Sequence, residues 1–310
     1  MPRLDVALEV SAAVARVVLD PRLTFAAAVA VALLVPGRRG DVATGVLVAL
    51  GSLLVYRAQQ LRRIPDHLRL LAWADLNKPL LRRLSLEAPG TYAHTMATAN
   101  LVEAACSAIG ADALLGRGGT YYHDIGKLRK PQHFVENQHG RNPHDKLKPA
   151  TSAAIIKSHV RDGLELAREH GVPPEIRAFI AEHHGTLPIA YFLEKARERD
   201  GTVQQGDYTY GGPTPRTAET AILMLADGVE ARVRSLADPT PEAIREAVTE
   251  LIRRRMAEGQ LDAAPLTLRQ LAIVREQFIR TLTAMHHDRI EYPTATGQTL
   301  SLAPGSRASA

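Results

Sequence analysis

A chain of 310 residues holds either two average domains or one large domain with an appendage. The hydrophobic fraction is 45% and aromatics only 5%, so the core must come mainly from Ala, Leu, Val and Ile, and the scarcity of β-branched clusters and hairpin turns favours helices. A net charge of +5 and a pI of about 9.4 suit an anionic partner, but no Arg/Lys-rich run interleaved with aromatics marks a nucleic-acid surface.

No charged residue occurs from Leu23 to Val35 or from Val42 to Tyr56, and Pro36-Gly-Arg-Arg-Gly-Asp41 between these runs reads as a tight polar turn. Each run is shorter than the roughly 20 residues that a spanning helix needs. Neither has a polar face, however, where a surface helix would show charge every third or fourth residue. Residues 1–60 are therefore expected to form a short apolar helical hairpin that anchors the chain in the cell membrane. The alternative is a buried hairpin in a soluble protein. Arg57, Arg62, Arg63 and Arg69 would hold the following chain on the cytoplasmic side, although Arg38 and Arg39 in the turn pull the other way.

Residues 61–87 place Leu61, Ile64, Leu68, Leu71, Leu76 and Leu80 among charges and read as an amphipathic connector, broken by Pro89-Gly90. The next region, residues 88–293, patterns as helical. Helices are expected over Thr91–Ile109, stopped by Gly110, and over Asp112–His123. The first of these contains Cys106, the chain's single cysteine, which fits a reducing compartment and rules out an intrachain disulfide. Further helices are expected over Thr151–His170, Pro174–His184, Thr217–Leu236, Pro241–Ala257 and Leu268–His287. In the last, Leu271, Val274, Phe278, Leu282 and Met285 form one apolar stripe, read as core packing. Lys130–Lys148 and Asp200–Pro215, rich in Gly and Pro, read as loops, and the small, polar residues 294–310 as a disordered tail.

The histidines are selectively placed. His123-Asp124 follows His94 by 29 residues, His159 follows Asp124 by 35, and the pair His183-His184 follows His159 by 24. Asp227 comes directly after the apolar run Ala221–Ala226, where a carboxylate is costly unless paired or metal-bound. Imidazoles with a few carboxylates suit Fe, Mn, Co or Zn rather than Ca or Mg. One carboxylate can bridge two cations, which makes Asp124 the natural shared ligand. A lone His-Asp dipeptide carries almost no information, and a single helical histidine is usually a packing residue. The weight lies in the collection.

His94, His123-Asp124 and Asp227 match the His…His-Asp…Asp pattern of the HD phosphohydrolase superfamily, and His159 with His183-His184 resembles its binuclear branch. More narrowly, the region is similar to the intracellular HD domain of the seven-transmembrane HD proteins, the PgpH-type cyclic di-AMP phosphodiesterases. Glu87-Ala-Pro-Gly-Thr-Tyr-Ala-His94, Tyr121-Tyr-His-Asp-Ile-Gly-Lys127 and Phe134-Val-Glu-Asn-Gln138 carry the resemblance. Asn142-Pro-His-Asp-Lys146, Ile156-Lys-Ser-His-Val-Arg-Asp-Gly163, Glu182-His-His-Gly-Thr186 and Arg289-Ile-Glu-Tyr-Pro293 continue it in collinear order.

The resemblance implies an all-α helical bundle with a binuclear centre of two divalent ions, iron or manganese, held by His94, His123, Asp124, His159, His183, His184 and Asp227. It implies hydrolysis of cyclic di-AMP to pApA by attack of a metal-bound hydroxide on phosphorus. Lys127 would add charge beside the phosphate, its bland alternative being a lysine facing a helix C-terminus. Lys146 and Arg161 are weaker phosphate candidates. His133, His139 and His144 could be surface or substrate-loop residues. A cyclic di-GMP phosphodiesterase is the rival enzyme, but its Gly-Tyr-Pro signature is absent where His183-His184 leads into Gly185-Thr186-Leu187-Pro188. A dinucleotide-binding signalling module without catalysis is the rival from another class, which loss of ligands would mark. The short N-terminus departs from the family, whose members carry seven membrane helices.

Overall fold

The computed structural model describes residues 68–138, 140–200 and 202–286. The expected hairpin at 1–60, the loop histidine His139, the Arg289–Pro293 segment and the tail at 294–310 lie outside the described residues. Those described are helical, joined by turns and one isolated antiparallel bridge between Pro188 and Thr209. The helices are α1 (Pro79–Glu87), α2 (Pro89–Ile109), α3 (Ala113–Thr120), α4 (Pro149–Glu169) and α5 (Pro174–Glu182). They continue with α6 (Ala190–Asp200), α7 (Ala218–Arg234), α8 (Pro241–Ala257) and α9 (Leu268–Met285). No helix among the described residues is long and apolar enough to cross a membrane. The chain divides between Arg82 and Arg83 into two compact units, α1 crossing the division, and the candidate site lies wholly in the second.

Local chemistry explains most of the boundaries. Proline at the first turn starts α2, α4, α5 and α8, where its missing N–H costs nothing. Asp112 caps α3 through the Leu115 N–H, and Thr217 and Thr267 make reciprocal capping boxes with Thr220 and Gln270. The core is aliphatic, as the composition requires. Ala221–Ala226 of α7 are all buried, surrounded by Leu101 and Val102 of α2, Phe179 of α5, Val248 of α8 and Val274, Phe278 and Leu282 of α9. Met285, at the end of the expected stripe, is 43% exposed.

Two helices end earlier than their sequence suggests, and both early ends create the site. The helix expected to run to His123 stops at Thr120. Tyr122 N–H then bonds Gly119 O and His123 N–H bonds Thr120 O, a tighter i→i+3 path through a glycine-rich stretch that cannot sustain an α-helix. The helix expected to run to His184 stops at Glu182, and Gly185 at φ +48 turns the chain. Helix α6 has no sequence counterpart among the expected elements. Its buried apolar residues are Phe192, Leu193 and Ala196, packed with Ala153 and Tyr208, and apart from Ala196 it is charged from Glu194 onward.

The 3-10 turn Ile125–Arg129 lies directly on α4. At Gly126 an added Cβ would sit 1.8 Å from His159 O and 2.5 Å from Gly163 N, so backbone touches backbone. Gly126→Ala must push this turn off α4. Overpacking of this kind costs about 1–3 kcal/mol, equivalent to roughly 2–12 °C in Tm for a domain of this size. Gly206, with nothing within 4 Å of its Cβ position, is the control. Thermal melts should show a large loss for Gly126→Ala and almost none for Gly206→Ala.

Candidate metal centre

The turn after α3 presents His123 and Asp124, α2 presents His94, α4 presents His159, the turn after α5 presents His183 and His184, and α7 presents Asp227. All seven expected ligand positions converge. Single donor atoms from His94, His123 and Asp124 lie within 4.8 Å of one another, and so do those from His159, His183 and His184. Asp124 joins the two groups. Its Oδ2 lies 3.3 Å from His123 Nε2 and 4.0 Å from His94 Nε2, while its Oδ1 lies 3.5 Å from His159 Nε2 and 3.7 Å from His183 Nε2. Asp227 also reaches both groups, with Oδ1 3.0 Å from His94 Nε2 and Oδ2 3.8 Å from His184 Nδ1.

Hydrogen bonding fixes the ring tautomers. His123 Nδ1 lies 2.7 Å from Thr120 O, His159 Nδ1 2.6 Å from Ile156 O and His183 Nδ1 2.9 Å from Ile180 O. A carbonyl only accepts, so each Nδ1 carries the proton and each Nε2 points its lone pair into the cluster. His159 Nε2 and His183 Nε2 are then two lone pairs facing each other at 3.2 Å. His123 Nε2 and Asp124 Oδ1 are buried without a hydrogen-bond partner among the described residues. Such an arrangement is unfavourable unless a cation lies between the donors. The residues therefore fit a divalent metal pair.

The electrostatics agree. Burial, reinforced by neighbouring His123, pushes His183 down to about 3, and burial lowers His159 as well, which favours the uncharged, lone-pair form of both rings. Burial alone would raise Asp124, but Lys127 and His123 outweigh it and hold the carboxylate well below its ordinary range. His94 is the exception: burial is outweighed by hydrogen bonds to Asp227 and Glu230, which raise it to about 9, so a cation binding at Nε2 would have to displace a proton.

The side chains of His184 and Asp227 are 23% and 16% exposed, whereas those of His94, His123, Asp124, His159 and His183 are at most 3% exposed, so the centre opens on one side only. There it meets a cavity of ≈ 220 Å³ walled by Leu187, Pro188, Ile189 and Met224, with Arg255 at its edge. The Tyr210 ring stacks on His184 at 4.2 Å and 24°.

A crystal structure of the HD domain of the Listeria monocytogenes phosphodiesterase PgpH, in complex with cyclic-di-AMP, shares 45% sequence identity with this chain at a TM-score of 0.66, covering 69% of this chain and 100% of that one. The chain belongs to the HD-domain family. The family itself matches residues 91–232. Two cyclic-di-AMP phosphodiesterases PgpH are similar over part of their sequences. That of Listeria monocytogenes is 45% identical over 226 residues and that of Bacillus subtilis 44% over 230, covering 73% and 74% of this chain. The chain spans about a third of the length of these curated relatives, 32% in each case.

In this HD domain several residues outside the motif complete the site. Lys127 Nζ lies 2.7 Å from both Asp124 Oδ2 and Glu136 Oε1, and Thr91 Oγ1 donates to Glu136 at 2.9 Å. Glu230 accepts from His94 Nδ1. Neither glutamate was singled out from sequence; Glu230 follows Asp227 by one helical turn, the only signal available. His133 and His144 interact with each other instead, His144 Nε2 donating to His133 O at 2.9 Å. Arg161, 71% exposed beside Asp162, and Lys146, also exposed, are not brought to the centre.

Asp124→Asn keeps the shape but replaces the shared carboxylate with a neutral amide that has a single oxygen donor. Metal analysis of the folded variant should fall from two equivalents per chain to fewer than one. Retention of two would remove Asp124 from the bridging role.

Proposed function

We propose that this HD domain is a cyclic dinucleotide phosphodiesterase that opens cyclic di-AMP to linear pApA, using two divalent ions of iron or manganese. The observation that carries the reading is a complete set of seven converging donors in a domain 45% identical, over its full length, to one crystallised with cyclic-di-AMP.

When bound, a metal pair lowers the pKa of water and draws charge from phosphoryl oxygens. His94, His123, Asp124 and Asp227 would hold one ion, and His159, His183 and His184 the other, with Asp124 shared. Hydrolysis forms an oxygen–phosphorus bond and breaks the bond from phosphorus to the ribose 3′-oxygen, which leaves with a proton. Lys127 has two N–H donors on Asp124 and Glu136, and its third can meet a phosphoryl oxygen. The aliphatic walls and the Tyr210 ring suit a nucleoside rather than bare phosphate, and they exclude water beside the reacting group.

The reading is tested on the full chain, purified in detergent and loaded with Mn²⁺ or Fe²⁺, with cyclic di-AMP and cyclic di-GMP offered side by side. Production of pApA, with cyclic di-GMP turned over at least tenfold more slowly, is the expected result. Lys127→Ala should lower turnover by about 10²–10³-fold, as loss of an electrostatic donor does, with metal content kept. Preference for cyclic di-GMP would overturn the substrate assignment, and binding of cyclic di-AMP without product would favour the signalling module.

Residues 1–60 are proposed as the membrane anchor, with the catalytic domain on the cytoplasmic face. Their uncharged runs support this. The full chain should sediment with membranes and resist carbonate extraction. Its recovery in the soluble fraction, monodisperse and without detergent, would remove the anchor.

A further inference from the structure

His123, His159 and His183 each give their Nδ1 proton to a neutral backbone carbonyl. His94 is different. Its Nδ1 meets the carboxylate of Glu230, buried at 8% exposure, whose two oxygens lie 3.0 Å and 2.9 Å from Arg234 Nη1. Asp227 and Glu230 stand one turn apart on α7 and flank one imidazole on α2, Asp227 Oδ1 3.0 Å from Nε2, a spacing that suits two donors to one ion, and Glu230 at Nδ1. The ring can neither flip nor tilt without losing a charged partner.

We propose that Glu230, held by Arg234, is a positioning residue that makes His94 a stronger metal donor than its fellow histidines and so renders the two metal sites unequal. A carboxylate partner polarises an imidazole more than a carbonyl does and raises its basicity as a ligand. Arg234 is 41% exposed, so its charge is partly screened, and its work is to fix the Glu230 carboxylate in the plane of the ring. The proposal rests on the binuclear reading above. It adds that the ion in the His94, His123 and Asp124 group is the more tightly held, and that Glu230 accounts for the difference.

The test is stepwise Mn²⁺ loading of the metal-free full chain, in detergent, against a fluorescent chelator, with thermal melts of the metal-free protein in parallel. Wild type should take up two equivalents of different affinity. Glu230→Gln, isosteric and uncharged, should weaken the tighter equivalent by about 10–100-fold, as losses of such outer partners do, and leave the other unchanged. In a His159→Ala background, where the second group is disabled, the same weakening should appear on the remaining equivalent. Unchanged affinities with a lowered melting temperature would make Glu230 a structural tie between α2 and α7 and overturn the proposal. If Glu230→Gln fails to fold, Arg234→Met decides at the exposed end of the pair: a smaller weakening of the tighter equivalent supports the proposal, and wild-type affinities overturn it. Uptake of a single equivalent by wild type would instead overturn the binuclear reading, a result no variant comparison can produce.

Discussion

Asp124 is a carboxylate 2% exposed, ringed by four imidazoles and one ammonium, and the arrangement of the domain follows from keeping it there. Burying an isolated carboxylate is prohibitively costly, so every element that surrounds it must supply either a positive charge or a donor able to hold one. Each of its oxygens faces a different histidine group. The side chain is thus placed as a partition between the two donor groups, within reach of both.

Holding the partition in place requires the chain that bears it to be anchored by more than the side chain itself. Gly126, two residues on, lies backbone to backbone against α4, which fixes the distance from Asp124 to His159. Lys127 then ties Asp124 to Glu136, and the loop carrying Glu136 also caps α2, where Ala88 provides no side-chain cap: Asn137 Oδ1 accepts from Thr91 N–H at 3.1 Å. A helix cap is worth about 1 kcal/mol, so the loop contributes stability to the helix that carries His94 while supplying a counter-charge near the centre. Fold stability and site geometry share the same hydrogen bonds here. The close approach demands glycine at 90 as well, where a Cβ would fall 1.8 Å from Glu136 O.

The helical class was legible because it depends on local rules, whereas the candidate donors came from the collection of histidines and aspartates taken together with the family resemblance. Capping threonines, N-terminal prolines and apolar stripes mark helix limits within a few residues, and many imidazoles with a few carboxylates, taken as a collection, suggest metal chemistry. Three things were not legible. Helix α6 has too short an apolar stripe to distinguish it from a charged loop. The early ends of α3 and α5 depend on i→i+3 bonds and on Gly185 at positive φ, which periodicity does not report. Glu230 resembles an ordinary surface glutamate in its sequence surroundings and Glu136 lies in a segment that carries the resemblance without a role of its own, and only packing shows that each is the partner of a residue at the centre. Ligands carry a chemical signature in sequence, whereas the groups that orient them do not.

The early helix ends have a further consequence for how the centre meets its surroundings. On a continuous helix His183 and His184 would diverge by about 100° and could not serve one group of donors. Released into a turn, their ring centroids come to 4.0 Å, with His183 directed into the cage and His184 stacked against Tyr210 at its rim. The turn is held from outside by Gln260, which accepts from Thr186 N–H at 3.0 Å and donates to Thr186 Oγ1 at 2.9 Å. Gly185 must stay bare for that contact, since a Cβ would lie 2.4 Å from Gln260 Oε1. One dipeptide thereby provides both an enclosed donor and a half-open one. The enclosed face protects lone pairs that water would otherwise satisfy, and the open face, shared with Asp227, is where an anionic substrate can displace solvent without dismantling the cage.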